Sequence, residues 1–284
     1  MLYRKIRSYI DAHLRSNEDK ILLIEGARQI GKSYIIRDVG TELYDNYVEI
    51  NFVEDDAGDK IFRNVRTTEE FYLNLSMVAG FKLDKYENTL VFIDEIQHYP
   101  QFLTMLKFLR QEHRYRFICS GSLLGIALKK TVSVPVGSII PKKMYQLDFE
   151  EFLIANDFGE DAIVHLRKSF EQKQPLAPEV HDKVLSLFKR YLLVGGMPDA
   201  VNEYLNSHNI VKVREAQESI RELYGVDASR YEEDAAKKLY IRRIYDMIPS
   251  QMENKKKRIV AKDILDRKGD RFSNYMEEFE YLIK

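Results

Sequence analysis

The feature that most constrains this chain is a glycine-bearing loop that follows a short apolar run. The loop spans residues 26–33 and reads GARQIGKS, which fits the pattern G-x-x-x-x-G-K-[ST]. The apolar run at 20–25 predicts a buried strand, and the apolar spacing after Ser33 predicts a helix. A strand, a glycine loop and a helix in this order form a nest of backbone N–H groups that suits phosphate oxygens. The sequence therefore predicts a phosphate-binding loop.

Each residue type in this loop has a chemical reason. Lys32 would reach the β- and γ-phosphates of a nucleotide, and the Ser33 hydroxyl would bind Mg²⁺. A tight glycine turn with an exposed lysine is the alternative, and the complete strand–loop–helix context disfavours it. The residues expected to hold phosphates are Gly26, Ala27, Arg28, Gln29, Ile30, Gly31, Lys32 and Ser33.

Two acidic residues follow a second apolar run. Residues 90–93 predict a buried strand, and Asp94 and Glu95 come directly after it. In an open α/β sheet, ligands bind at the carboxyl ends of the strands. Asp94 is expected to hold Mg²⁺, through water, and Glu95 to orient and deprotonate the attacking water. A strand that simply ends in a solvated acidic turn is the weaker alternative.

Two serines end another predicted strand, residues 116–119. Ser120 or Ser122 would touch the γ-phosphate or the attacking water and so report hydrolysis, although serines that only cap the next turn are an open alternative. Cys119 is expected to be a small buried strand residue. The N-K-x-D string that reads guanine is absent, so adenine, and hence ATP, is favoured by elimination only.

The strands at 20–25, 47–52, 89–93 and 116–119 alternate with helical patterns. This alternation predicts an α/β fold with a parallel sheet covered by helices on both faces. After residue 148 helical patterns dominate, with a sharp turn at 195–198. We therefore expect a core at 1–148, a helical segment at 149–230 and a final segment at 231–284.

Composition excludes several classes of protein. The 284 residues carry 44 Lys plus Arg and 45 Asp plus Glu, a net charge of −1, which excludes a strongly basic nucleic-acid coat. The single cysteine, Cys119, excludes a disulfide framework and a cysteine-based zinc site and favours a reducing, cytoplasmic setting. No signal peptide is recognisable, and the absence of a long apolar run predicts no membrane span.

The last segment of the chain has two features that are relevant to DNA binding. A basic run at 255–258 precedes an amphipathic helical pattern from Asn274, an arrangement compatible with a winged helix. However, Glu277, Glu278 and Glu280 are expected on the outward face of that last helix, where they would repel phosphates. A packing module is therefore favoured, and direct, weak DNA contact is the alternative.

The ordered set of motifs resembles a bacterial and archaeal family of AAA+-like P-loop ATPases over the whole chain. The segments that carry this resemblance are residues 26–33, 92–97, 120–122, 147–152 and 195–198. The resemblance implies a P-loop ATPase core, a helical lid, a winged-helix segment and a further domain of restriction-endonuclease-like fold. That last domain is missing up to Lys284, where the chain stops inside a predicted helix, so we expect a piece of a longer protein. The resemblance also implies that the strand ending at Ser120 lies between those leading to Lys32 and Asp94.

The chain departs from the family pattern at one position, where many relatives carry an arginine. Many relatives have Gly-Arg in the strand before residues 147–152, where this chain has Gly137-Ser138. We therefore expect slow basal turnover unless another arginine acts, in cis or from a second copy in an oligomer. Arg114, Arg116 and Arg190 are the candidates. His98, which follows the acidic pair, is interpreted as a turn residue, with proximity to the nucleotide as the alternative.

The leading hypothesis is hydrolysis of Mg-ATP to ADP and phosphate, which drives a conformational change in a protein partner or an attached domain. The first alternative is a nucleotide-gated switch or scaffold with little hydrolysis, and the missing arginine favours it. A kinase that phosphorylates a small molecule is a third possibility. It is disfavoured because Glu95 beside Asp94 suits water activation better than acceptor binding.

Overall fold

The structure is a computed structural model, and it describes nine stretches of the chain: 2–51, 60–83, 88–98, 100–122, 137–229, 232, 234–253, 259–265 and 271–283. The basic run at 255–258 lies outside these residues. The chain divides into two compact units, the first ending at Val213 and the second beginning at Arg214. Each unit is described by itself below.

A five-stranded parallel sheet forms the centre of the first unit. Its strands, β1 to β5 in chain order, are Ile21–Glu25, Asn46–Asn51, Thr89–Asp94, Arg116–Gly121 and Ile139–Lys143. Their order across the sheet is β2-β3-β4-β1-β5, and every pair is parallel. Strand β4 therefore lies between β3 and β1, as the resemblance implied. Because the strands are parallel, all five carboxyl ends lie at one edge, which we call the carboxyl edge; the opposite one is the amino edge.

Both faces of this sheet are covered by helices. One face packs on helices α1 (Lys5–Arg15) and α2 (Lys32–Leu43), through an apolar cluster that includes Leu22 and Ile118. The other face packs on α3 (Thr68–Ala79) and α4 (Pro100–Glu112). Two short 3-10 helices, Gly80–Leu83 and Ile96–His98, flank β3. Central strands buried on both faces must be apolar throughout, which explains the continuous apolar runs in the sequence.

Strand β5 has no such apolar run, and hydrophobic pattern alone did not predict it. Among the described strands it pairs only with β1, and it lies at the side of the sheet. Pro141 lies in the middle of this strand, opposite Leu23. Proline lacks an N–H donor and is tolerated in a strand that has one neighbour. The position of β5 therefore explains why its sequence does not resemble a buried strand.

The rest of the first unit is helical, as predicted after residue 148. The helices α5 to α8 are Phe149–Ala155, Glu160–Glu171, Pro178–Val194 and Pro198–Ser207, and α9 (Ile210–Ala228) runs across the division between the units. The sharp turn between α7 and α8 packs on Leu147: the Leu147 N–H donates to the Gly196 carbonyl at 2.8 Å. A Cβ atom at Gly196 would lie 2.1 Å from the Leu147 carbonyl oxygen, so only glycine fits there.

In the second unit the described residues form helices and no strand. These are α10 (Ala235–Glu253), α11 (Lys262–Leu265), a 3-10 helix at Phe272–Tyr275 and α12 (Met276–Ile283), packed around Ile244, Ile264 and Tyr275. The winged helix stays a prediction, and so do the predicted boundaries at 148 and 230. None of the described helices is both long and apolar enough to cross a membrane.

The outward acidic face predicted for the last helix is partly wrong. Glu278 is buried, at 5% exposure, whereas Glu277 and Glu280 are exposed. The reason is helical periodicity: Glu278 lies three residues after the buried Tyr275 and so shares its face. Glu277 forms an ion pair of 2.6 Å with Lys237 of α10. This helix therefore presents fewer negative charges outward than the sequence indicated.

Candidate functional site

The loop at 26–33 joins the carboxyl end of β1 to the first turn of α2. Gly31 precedes the helix with φ of +90°, and Gln29 also has a positive φ of +59°. A Cβ atom at Gly26 would lie 2.3 Å from the Met144 carbonyl oxygen and 2.6 Å from the Ile30 side chain. Glycine is therefore required at 26 by close packing and at 31 by backbone conformation. The loop and the start of α2 together have the geometry of an anion site.

Lys32 lies inside this loop rather than in solvent. Its side chain is 5% exposed, and its ammonium donates to the carbonyl oxygens of Gly26 at 2.9 Å and Ala27 at 2.7 Å. The ammonium is thus held against the loop whose backbone N–H groups would bind a phosphate group. An exposed lysine on a glycine turn, the alternative weighed above, does not describe this side chain.

Asp94 links three strand ends and the phosphate loop. Its Oδ2 accepts a hydrogen bond of 2.6 Å from Ser33 and a longer one of 3.5 Å from Asn51, the last residue of β2. Its Oδ1 accepts from Ser120 and, at 3.0 Å, from the Glu95 backbone N–H. Asp94 is 3% exposed and Ser120 is fully buried. The predicted metal ligands, Ser33 and Asp94, therefore lie together.

Glu95 has a separate set of partners at the same edge. Its Oε2 accepts hydrogen bonds from Gln97 and, at 2.9 Å, from Ser122. The Ser122 hydroxyl also accepts from Gln97 at 3.0 Å and from Arg28 of the loop at 3.3 Å. Glu95 has a positive φ of +49°, a conformation that is uncommon for a residue with a side chain and that clusters at functional sites. The site thus contains two acids with different surroundings.

These surroundings move the two pKa values in opposite directions. Burial raises the pKa of Asp94, and hydrogen bonds from Ser120 and Ser33 only partly offset it. Burial would also raise the pKa of Glu95, but the hydrogen bond from Gln97, the positive charges of Lys32 and Arg28 and the hydrogen bond from Ser122 outweigh it and lower that pKa. Two neighbouring carboxyl groups with diverging pKa values are typical of sites where acids have distinct chemical roles.

The donor set at Asp94 fits a magnesium ion. Mg²⁺ prefers oxygen ligands and usually keeps several waters while it binds one or two protein oxygens. The Ser33 hydroxyl and the Asp94 carboxylate offer such oxygens, which lie 2.6 Å apart. A cation here would also compensate the buried Asp94 charge, whose pKa burial raises.

Sequence reasoning missed Gln97 and Asn51. Gln97 is 6% exposed and bridges Glu95 and Ser122, while its carbonyl oxygen is buried without a hydrogen bond among the described residues. Asn51 ends β2, the strand beside β3. A polar residue near the end of a strand was the signal that predicted Ser120, and the same signal was available for Asn51. His98 ends the 3-10 helix after Glu95, and both interpretations of this residue stay predictions.

Two of the three candidate arginines lie at the wrong edge for a role in this chain's own site. Arg116 begins β4, so about 17 Å of strand separates it from Gly121 at the carboxyl edge. Arg114 precedes it and packs on the Tyr72 ring, 4.6 Å from the ring centre. The Gly137–Ser138 pair also lies at the amino edge, just before β5. The missing arginine at 138 therefore removes nothing from the site of the same chain. Arg190, on α7, stays a candidate.

Comparisons with known proteins agree with this geometry. Residues 18–153 match the family model of an AAA domain, and residues 185–284 match a domain of unknown function (DUF8612). Among proteins of curated function, none matches the sequence. A solved Walker-type ATPase of Pyrococcus abyssi has a similar fold: 16% identity, a TM-score of 0.59, and coverage of 100% of this chain and 89% of the other.

Two further solved structures are more distant. AMPPCP-bound DnaA of Aquifex aeolicus is 13% identical with a TM-score of 0.43, covering 100% of this chain and 89% of its own. The ADP complex of Hsp104 from S. cerevisiae is 14% identical with a TM-score of 0.44, covering 100% of this chain and 39% of its own. The matched family model spans the loop, both acids and both serines. Residues 18–153 of this chain therefore match an AAA domain, in agreement with the P-loop ATPase fold of the first unit.

Proposed function

We propose that the chain binds Mg-ATP at the carboxyl edge of its sheet and hydrolyses it to ADP and phosphate, in order to drive a conformational change in a partner or an attached domain. The observation that carries the proposal is the hydrogen-bonded set formed by Ser33, Asp94 and Ser120 beside Glu95 and Ser122. The phosphate loop and two strand ends contribute to it.

The loop and Lys32 would bind the triphosphate. The backbone N–H groups of residues 26–33 would hold phosphate oxygens, and the Lys32 ammonium would exchange its bonds to the Gly26 and Ala27 carbonyls for the β- and γ-phosphates. Ser33 and Asp94 would hold Mg²⁺, which neutralises charge on the phosphates when bound. Lys32 and these oxygen ligands account for binding.

Glu95 would orient the attacking water and accept its proton. Both of its side-chain hydrogen bonds described above, from Gln97 and Ser122, go to Oε2, so Oε1 is the oxygen for the water. The lowered pKa of Glu95 keeps it ionised at neutral pH, as an acceptor must be. Phosphoryl transfer passes through a loose transition state, so placing the water matters more than the strength of the base. Ser122 is then suited to sense hydrolysis through Glu95, and Ser120 through Asp94.

A nucleotide-gated switch is the second candidate. The observation that favours it is that Gln97 and Ser122 already hold one oxygen of the Glu95 carboxylate, so turnover requires room for a water molecule at the other oxygen. Direct DNA contact stays a weaker proposal, because the basic run on which it depends lies outside the described residues. The protein partner and assembly into an oligomer also stay predictions.

The decisive experiment measures phosphate release from Mg-ATP and nucleotide binding on the same samples. We expect Glu95→Gln to bind ATP normally with turnover reduced by about 100-fold or more, and Lys32→Ala to bind weakly. Glu49→Gln is the matched control, because Glu49 pairs with Arg37 outside the site, and it should behave as wild type. Phosphate release from wild type no higher than from Glu95→Gln would favour the switch. A phosphorylated acceptor without matching free phosphate would indicate a kinase.

A further inference from the structure

A buried arginine outside every recognised motif contacts the phosphate loop. Arg4 lies just before α1 and is 7% exposed. Its Nη1 donates a hydrogen bond of 2.7 Å to the carbonyl oxygen of Ile30, inside the loop, and its Nη2 donates to the carbonyl oxygen of Tyr145, just after β5. One guanidinium group therefore joins the loop to the chain segment that leaves the sheet toward the helices.

The charge of Arg4 is balanced at the start of α5. Its Nε lies 3.3 Å from Oε2 of Glu151, a charge contact without hydrogen-bond alignment. Glu151 is 6% exposed in its side chain and also accepts from the backbone N–H groups of Lys5 at 2.7 Å and Asp148 at 3.1 Å. Asp148 caps the same helix by accepting from the Glu151 N–H. Arg4 therefore contacts the pair of residues, Asp148 and Glu151, that caps α5, through Glu151.

Peptide geometry gives this contact a consequence for phosphate binding. A trans peptide is planar, and its C=O and N–H groups point in opposite directions. None of the described peptide bonds is cis. When the Ile30 carbonyl points at Arg4, the N–H of Gly31 must point away from Arg4. The nest works only if its N–H groups converge on the anion, so a donor that holds the Ile30 carbonyl also fixes the direction of the next N–H.

We propose that Arg4 is a positioning residue for the nucleotide: it presets the peptide between Ile30 and Gly31 and couples phosphate binding to the start of α5 through Glu151. This inference rests on the proposed function, because it assumes that the loop binds nucleotide. Arginine suits the task and lysine does not, since a planar guanidinium can serve two carbonyls and a carboxylate at once whereas an ammonium is a single compact charge.

The test compares Arg4→Lys with Arg7→Gln, a control three residues further along, in the first turn of α1. Arg7 pairs with Asp38 at 2.9 Å and with Glu42, both on α2, and contacts no loop residue among its described bonds. We expect Arg4→Lys to weaken Mg-ATP binding by roughly tenfold, as for one lost charge-assisted hydrogen bond, to raise KM similarly and to change kcat by less than about twofold. Arg7→Gln should bind as wild type does.

A purely structural role would lower the melting temperature of Arg4→Lys and leave its nucleotide affinity, measured where every variant is folded, equal to that of Arg7→Gln. That result would overturn the proposal. Wild type that binds no nucleotide would overturn both this inference and the proposed function, whereas equal binding by wild type and Arg4→Lys would overturn this inference alone.

Amide hydrogen exchange on the wild-type protein tests the coupling without any variant. Mg-ADP should slow exchange at the Lys5 and Asp148 amides, which donate to Glu151, as well as in the loop. Protection confined to the loop would contradict the coupling to α5, even if Arg4→Lys proved unable to fold.

Discussion

The two edges of the sheet use polar side chains in opposite ways. At the carboxyl edge the side chains bond mainly to one another: Ser120 donates to Asp94, and Ser122 donates to Glu95. At the amino edge, by contrast, Arg110 and Arg116 donate to main-chain carbonyl groups. Arg116 donates to the carbonyl oxygens of His13 at 3.1 Å and of Ser16 at 3.3 Å, where α1 ends.

This difference separates function from stability within one strand. Ser120 and Arg116 both belong to β4. A bond between two side chains can be exchanged for a bond to a ligand with little disturbance of the backbone. A bond to a helix-end carbonyl gives that carbonyl a charged donor and stabilises the end of the helix, so losing it costs stability. We therefore expect substitutions at the carboxyl edge to affect turnover and those at the amino edge to affect folding.

The largest expected effect is on turnover, from Asp94→Asn at the carboxyl edge. We expect phosphate release to fall by about 100-fold or more, because the charged magnesium ligand is lost. The free energy of unfolding should stay the same or rise, since burial raises the pKa of Asp94 and so disfavours its charged form. Chemical denaturation and phosphate release on one preparation measure both.

Asp38→Asn is the control for that experiment, because Asp38 is a partly exposed carboxylate on α2 that pairs with Arg7. It should keep full turnover. If Asp94→Asn instead lost stability together with activity, Asp94 would be a structural residue, and the separation between the two edges would fail.

A smaller effect, on stability, is expected from Arg116→Met at the amino edge. The two carbonyl groups at the end of α1 would lose a charged donor, and we expect the free energy of unfolding to fall by about 1–2 kcal/mol. Turnover at a temperature where the variant is folded should match wild type. Loss of turnover in the folded variant would show that Arg116 acts in catalysis after all, as an arginine supplied to a second copy would.

The smallest effect is a pH dependence, also at the amino edge. Burial and the nearby charge of Arg116 lower the pKa of His13 below its usual 6.5, and its ring contacts the Lys20 carbonyl at 3.1 Å. The folded state therefore binds fewer protons there than the unfolded state. The stability that His13 contributes is fully present above pH 6.5 and is lost as the pH falls toward the lowered pKa.

Urea midpoints between about pH 5 and 8, for wild type and His13→Gln, measure this contribution. Below pH 6.5 the urea midpoint of the variant should decline less than that of wild type. Above that pH the two proteins should have the same turnover. An identical decline in both proteins would mean that other groups carry the whole pH dependence.

Much of the fold was predictable because its signals are local. The apolar runs of β1, β3 and β4, the loop at 26–33 and the acids after β3 are read from neighbouring residues. Strand β5 has no such local signal in its own residues, because its place at the side of the sheet removes the need for an apolar run and its Pro141 is a residue that strands disfavour. The predicted outward position of Glu278 was wrong, since its neighbours in α12 place it on the buried face.

The sequence by itself determined that a phosphate loop and an acidic pair exist, because strand, glycine and carboxylate patterns follow from backbone geometry over a few residues. Only the tertiary structure decided which distant groups join them. Asn51 and Arg4 reach the site through packing between segments far apart in the chain. Arg116 lies at the opposite edge because the direction of β4 decides which end of the strand meets the loop. Such long-range placement depends on strand order and packing, and no local pattern contains it.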